Sequence, residues 1–329
     1  MLRAVLHEYE IRRVIGAPEG GCLVVDGIAK LDAGEDRCLY FIEGNIGETM
    51  LESFAACEGC IIIARHGLSL PPALEKCLVL RVTEPRAAIA KVLGFIRNQH
   101  RQIPLVEARE ISQDAAISPM AVLEGNVKIE EGVVIEPFCT IGPEVMIGRG
   151  SILRAGAHIY PRVSIGEASV IGSNAVIGSD GYGFVRDETG NKARIPHLGG
   201  VMIGSHVEVG ALCCVQSGTI SPTIIEDQVK IDDHVQIGHN VRIAQGASIV
   251  GGVCIGGSAV VGAEAWIGMN SSVKNGVQVG PNALVGMDVS IQQELAENTV
   301  ARAPRPDVRV RYGGDRAAIG FKTRERTVF

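Results

Sequence analysis

From Ile117 to Ile291 an aliphatic residue returns at every sixth position. The first run is Ile117, Leu123, Ile129, Ile135, Ile141, Ile147, Leu153, Ile159, Ile165, Ile171 and Ile177. After a gap come Ile203, Val209 and Val215, and after a short slip the run from Ile225 to Ile291. A period of six matches neither a helix nor an alternating strand. It predicts a solenoid with three short flat faces per coil, each aliphatic side chain pointing inward onto its equivalent one coil away. No coil buries such a stripe alone, so stability comes from stacking. Glycine, as in Ile141-Gly142 and Ile237-Gly238, and asparagine suit the corners, where unusual backbone angles are cheapest for them.

This repeat resembles the hexapeptide-repeat left-handed parallel β-helix. The resemblance supplies the hand, which the spacing does not, and which runs against the usual right-handed crossover. Residues 1–107 lack the period and read as a small α/β domain. A short helix is expected over Leu2–Ile15, with strands at Cys22–Val25, Cys38–Ile42, Gly59–Ala64 and Cys77–Val82. A second helix runs from Pro85 through Arg97, with Ile89, Val92, Leu93 and Ile96 on one face. The expected division is a small domain at 1–107, the β-helix at 108–300 and a basic tail at 301–329.

Bulk properties narrow the function classes. A chain of 329 residues with 46% hydrophobic content supports a large core and two domains. A formal net charge of -6 argues against a general nucleic-acid binder. No apolar run suggests a transmembrane segment, and the N-terminus lacks a signal-peptide pattern. Nine cysteines, an odd number in apolar contexts, point to a reducing, cytoplasmic location. Cys57-Glu58-Gly59-Cys60 has metal or redox spacing. No second pair stands at zinc-finger distance, so it reads as two buried thiols at a strand start.

The long interruption carries Gly178-Ser179-Asp180-Gly181-Tyr182-Gly183-Phe184 and ends at Ile195-Pro196-His197. A loop leaving a rigid solenoid is a natural binding element, and aromatic rings suit a purely solvated loop badly. The shorter slip at Ser221-Pro222-Thr223 reads as a corner adjustment. The tail holds Arg302, Arg305 and further basic residues, which suit a phosphate on a carrier or cofactor.

Hexapeptide helices mostly belong to acyltransferases, whose chemistry needs a base for the nucleophile's proton and a donor for the oxyanion. Histidine suits the base near neutral pH. Four of the eight histidines fall between His197 and His239: His197, His206, His234 and His239. His239 is the strongest candidate, two positions past the inward Ile237. Asp232 or Asp233 is expected to orient its ring, and Gly256 or Gly257 on the next coil to face the oxyanion.

Two segments carry a closer resemblance: Ile177-Gly178-Ser179-Asp180-Gly181-Tyr182-Gly183-Phe184 with the following Ile195-Pro196, and Ile237-Gly238-His239-Asn240-Val241. With them the chain resembles the UDP-3-O-acylglucosamine N-acyltransferase family of lipid A synthesis. The resemblance implies that His239 is the base. It also implies a homotrimer with sites between subunits, moving an acyl group from acyl carrier protein to the 2-amino group of a UDP-linked sugar. The chain departs from the family in several places. Val277 stands where the family has a second histidine, and Gln216-Ser217-Gly218 where it has Asp-Arg-Gly. Tyr40, Glu43 and Ile46 stand where a uracil-binding Phe-x-x-Asn-x-x-Tyr is expected, with Asn45 one shift away.

The expected function is therefore N-acylation of a nucleotide-linked amino sugar, with acyl carrier protein or a coenzyme A thioester as donor and no tightly bound cofactor or metal. Expected substrate contacts are Tyr40, Asn45, Asp180, Tyr182, Phe184, His197, His206 and His234. Expected donor contacts are Gly256, Gly257, Arg302 and Arg305. Three alternatives stay open. One is an acetyl-coenzyme A-dependent sugar O- or N-acetyltransferase. The second is a γ-type carbonic anhydrase-like zinc enzyme using His234 and His239, whose third ligand falls by register at Leu198 beside His197. The third is a non-catalytic trimeric scaffold.

Overall fold

The computed structural model describes residues 2–18, 21–29, 35–43, 57–74, 76–102, 109–187 and 189–304. The first elements are β1 (Leu2–His7), α1 (Glu8–Ile15), β2 (Val24–Ile28), β3 (Cys38–Ile42), β4 (Ile61–Arg65), β5 (Leu78–Val82) and α2 (Pro85–Gln102). They form one sheet in the order β1-β2-β3-β4-β5. β1 runs antiparallel to β2, and the other neighbours are parallel. The segment expected as one helix over Leu2–Ile15 thus divides at His7. Its first half gains a ladder against β2, a tertiary reward that local periodicity does not see. Helix α1 then starts where the Glu10 carboxylate accepts the His7 backbone N–H at 3.1 Å.

Strand alternation sorts the domain into two faces. Leu39, Phe41, Ile61 and Ile63 pack with Val92, Leu93 and Ile96 of α2. Cys38, Tyr40, Ile42, Cys57, Cys60, Ile62 and Cys77 share the opposite face. Burial pushes the Cys38 thiol up to about 12 and the Cys77 thiol up to about 11, so both stay neutral and act as small apolar groups.

From Glu110 onward the chain winds into a left-handed parallel β-helix of three sheets with ten, nine and nine strands. Each coil returns eighteen residues later, as in Val134 against Ile152 and Ile135 against Leu153. The six-residue stripe lines the interior, where Ile141 and Ile237 are fully buried. Each such side chain contributes roughly 1.5–3 kcal/mol when it leaves water. The left-handed backbone positions at the corners are taken by Asn174, Asn240 and Asn270, as the pattern suggests, but also by His206 and His234.

Two departures from this register bring the domains together. Ser164 pairs with Met202 across the long insertion, and Met202 with Ile224 across the short slip. The insertion folds as a hairpin of Phe184–Arg186 against Lys192–Arg194. Its exit residues Ile195 and Leu198, together with Ile220 of the slip, pack into the core under α2. The slip is therefore a structural joint as well as a corner adjustment. Among the described residues no helix is long and apolar enough to cross a membrane.

Candidate active site

Where the small domain meets the β-helix lies a cleft of about 1090 Å³. From the small domain Phe41, Glu43 and Arg86 line it, and from the insertion Tyr182 and Phe184. From the β-helix His239, Gly257 and Asn275 line it. The rings of Tyr182 and Phe184 meet edge to face at 5.2 Å, and the Arg194 guanidinium lies 4.6 Å over Phe184. Tyr182 is 80% exposed, a solvent-facing aromatic ring in the cleft lining.

His239 sits in the corner after the strand Gln236–Ile237. The inserted loop lies directly on it. A Cβ at Gly181 would fall 2.8 Å from both His239 Cδ2 and His197 Nε2, and one at Gly257 would fall 2.7 Å from His239 Nε2. Glycine at these two positions is what lets backbone come this close to the imidazole. The His197 ring, only 5% exposed, stands 4.9 Å from the His239 ring, centroid to centroid. Burial lowers the pKa of His239. Burial first, and the neighbouring His239 second, lower that of His197 to about 4. Both rings are therefore neutral near pH 7, the state a base must start from.

The corner lacks a carboxylate cap, as do those at Gly148 and Gly256. At four other corners a carboxylate reaches an amide nineteen residues later. Glu130 accepts from Arg149 N–H, Glu136 from Ala155, Glu226 from Gln245 and Asp232 from Gly251. The position nineteen before Gly257 is Gly238, which has no side chain. The Gly257 N–H is thus left without that cap, at the place where the His239 Nε2 edge lies against the same residue. The Gly256 N–H, by contrast, is used in the ladder on Val273 O at 2.8 Å. Chemically, a neutral imidazole nitrogen beside an uncapped amide donor can take a proton and stabilise a developing oxyanion.

The family model described as bacterial transferase hexapeptide (six repeats) matches residues 144–179. Over 57 residues the chain is 49% identical to UDP-3-O-acylglucosamine N-acyltransferase 2 of Legionella pneumophila (strain Lens), a stretch covering 17% of this chain and 16% of that protein. Over 59 residues it is 46% identical to UDP-3-O-acylglucosamine N-acyltransferase of Coxiella burnetii (strain RSA 493 / Nine Mile phase I), covering 18% and 17%. The matched stretch thus spans about a sixth of the length of these curated relatives. Among solved structures, UDP-N-acetylglucosamine O-acyltransferase from Moraxella catarrhalis RH4 is 22% identical, covering 59% of this chain and 71% of that one, with a TM-score of 0.48. Residues 144–179 thus carry the bacterial transferase hexapeptide repeat, and the period around them extends it along the β-helix.

Within this hexapeptide-repeat protein several expected site residues serve elsewhere. Asp232 and Asp233 do not reach His239. The Asp232 carboxylate accepts the Gly251 N–H at 3.0 Å and that of Asp233 the Ala211 N–H at 2.6 Å, both at the preceding corner. His239 Nδ1 is buried with no hydrogen-bond partner among the described residues. His206 and His234 are exposed corner residues with φ of 58° and 60°, and neither lines the cleft. Asp180 holds the loop: its Oδ1 accepts the His197 backbone N–H at 3.2 Å, and its Oδ2 pairs with Arg97 of α2 at 3.4 Å. Tyr40 is fully buried, its hydroxyl donating to Glu35 O at 2.6 Å, because alternation turns it to the face opposite Phe41. Phe41 is the ring that reaches the cleft.

The remaining assignments sort in the same way. Arg302 is exposed at the far end of the β-helix, away from the cleft, and Asn45 and Arg305 lie outside the described residues. Val277 is buried inside the β-helix and offers no polar atom. For the zinc alternative, His234 and His239 occupy two different corners of one coil, and the register position Leu198 is buried in the core of the small domain. Among the described residues no group of three or more histidine, cysteine or acidic side chains is arranged to hold a metal ion. The sequence reading passed over Gly181, Thr219 and Asn240. Asn240 Oδ1 accepts the Thr219 N–H at 2.6 Å, and the Asn240 N–H donates to Thr223 Oγ1 at 2.9 Å, tying the slip to the corner. The signal was available in the Gly-Tyr-Gly of the loop and in the Asn that follows His239.

Proposed function

We propose that this protein is an N-acyltransferase that moves an acyl group from a thioester donor, acyl carrier protein or coenzyme A, to the amino group of a nucleotide-linked amino sugar. The observation that carries the reading is the corner at His239, where the Nε2 edge of a neutral imidazole lies against Gly257 and its uncapped amide. In the proposed reaction the sugar amine attacks the thioester carbonyl and a C–N bond forms. The carbonyl oxygen becomes an oxyanion that accepts from the Gly257 N–H. His239 Nε2 takes the proton that the attacking nitrogen sheds. Collapse breaks the C–S bond, and the leaving thiolate takes the proton back from the imidazolium.

The cleft is lined by this corner and by Phe41, Tyr182 and Phe184, aromatic rings that suit an acceptor with an aromatic nucleotide end. The matched relatives are UDP-3-O-acylglucosamine N-acyltransferases by name, which supports an amino-sugar acceptor of the lipid A type. The departures at Val277 and around Tyr40 favour a different amino sugar. A homotrimer is part of the proposal. Outward-facing Phe138, Met146, Met202, Leu212 and Trp266 are each at least 49% exposed on the β-helix, apolar surface suited to burial between copies. Both co-substrates belong to the cytoplasm, where the reading puts the enzyme.

A donor and acceptor screen read by mass spectrometry tests the proposal. Acyl carrier protein and coenzyme A thioesters are paired with UDP- and dTDP-amino sugars, using wild type and His239→Ala. The expected result is a product heavier by one acyl group, made by wild type only. No acylated product from any pair, or equal product from His239→Ala, overturns it. Light scattering that gives a monomer at micromolar concentration overturns the trimer.

A further inference from the structure

We propose that His197 is a positioning residue of this corner: its ring, delivered by the insertion, closes the buried side of His239 and keeps the base neutral and aimed at Gly257. The proposal rests on the reading of His239 as the base.

The argument begins with what holds the His239 ring. A histidine base is usually oriented by an acceptor behind its second nitrogen. Here Nδ1 of His239 has no such partner among the described residues, and Asp232 and Asp233 are engaged at another corner. Orientation therefore comes from packing. Gly181 and Gly257 flank the ring with backbone, and the neighbouring side-chain ring is that of His197, at 4.9 Å and tilted by 52°.

His197 is itself anchored from several directions. Its backbone N–H donates to Asp180, which Arg97 holds from α2, and its carbonyl accepts from Ser217 Oγ at 3.4 Å. The next residue, Leu198, is buried in the core of the small domain. On the other side Gly183 comes so close that a Cβ there would sit 3.1 Å from His197 Cε1. The ring is thus fixed by both halves of the molecule and delivered to the base.

Chemistry explains why a histidine can serve there. Two imidazoles at this separation disfavour a second positive charge, so the pair holds at most one proton in the working range. Burial opposes protonation of His197 most, and His239 and Arg194 act in the same direction; together they outweigh Asp180 and the Ile195 backbone, which favour it. His197 therefore stays neutral while His239 takes and returns the substrate proton. A neutral, buried neighbour excludes water from one side of the base and so keeps its pKa depressed.

The test compares wild type, His197→Ala and His197→Gln by pH profiles of kcat and KM, and by NMR titration of the His239 ring in histidine-labelled protein. In His197→Ala water reaches His239. The acid limb and the ring titration should both move up toward the ordinary histidine value, and kcat should fall about 10²-fold at pH 7 as the ring loses its aim, with KM changing less. His197→Gln keeps the volume without a titrating group, and should keep the limb and most of kcat. If His197→Ala does not fold, His197→Asn replaces it and should show the same upward movement. An unmoved titration and kcat in the Ala or Asn variant overturns the proposal, as does a Gln variant as impaired as Ala. Either result leaves the base assignment standing, because that fails only if His239→Ala remains active.

Discussion

Two corners of one coil, six residues apart, began as equivalent stretches of a repeat and became different objects. At the first, Asp232 and Asp233 cap the amides of neighbouring coils, and His234 takes the left-handed position with its side chain in solvent. At the second, Gly238 stands in the capping position, the Gly257 amide is left uncapped, and an inserted loop covers His239. The first corner is finished with its hydrogen bonds made inside the fold. The second is unfinished, and its open donor and half-buried ring are directed at the cleft. What sets the second corner apart as a candidate site is the combination of an uncapped amide with an inserted loop over the imidazole, with no change to the core.

The comparison can be broken in several places. Under the proposed mechanism His239→Ala removes the base, and kcat should fall about 10²- to 10⁴-fold with the fold intact; near-normal acyl transfer across the pH range would show that the two corners do not differ in chemistry. Gly257→Ala drives a methyl group toward His239 Nε2, where the available distance is 2.7 Å. Displacing the ring by even about 1 Å should cost about 10²-fold in kcat, whereas Gly251→Ala at the finished corner should leave steady-state rates unchanged.

Acid stability separates the corners without any assay of activity. His197 falls from an ordinary value of 6.5 to about 4 in the folded protein. The unfolded chain therefore binds more protons between those values, and folding loses stability as pH drops through that window. The full loss is roughly 3 kcal/mol per chain, and it should appear as a fall in Tm from pH 7 to pH 4 that is flattened in His197→Gln. A flat wild-type profile would mean that the ring is solvated.

Asp232→Ala should remove the cap on Gly251 at a cost of about 1 kcal/mol, read as a lower midpoint in urea, with kcat unchanged. A loss of kcat instead would return Asp232 to the site. The smallest effect is expected for His234→Ala, an exposed corner side chain whose removal should shift stability by no more than about 0.5 kcal/mol and leave the pH profile in place. A displaced acid limb in that variant would bring the second corner into the chemistry.

The repeat, its interior stripe and its two breaks were legible from residue spacing alone, because a solenoid stacks each coil on an equivalent one and carries its structure in local period. The corner position of His239 was legible for the same reason: it lies in phase with Ile237 and is followed by an asparagine that takes the left-handed backbone. The small domain was read less well. The helix expected over Leu2–Ile15 loses its first half to β1, and the ring expected from Tyr40 is supplied by Phe41. Both follow from pairing and alternation within a non-repeating sheet, where one position of shift reverses every face. What surrounds His239 could not be read from spacing. Asp232 and Asp233 are near it in the chain and absent from it in space, since six residues carry the backbone around one edge of the prism. His197, Gly181 and Gly257 are distant in the chain and in contact with it, because the insertion folds back and the next coil stacks above. Period fixes what each coil repeats; only the packing of an unrepeated loop against one corner decided where that repetition ends in a site.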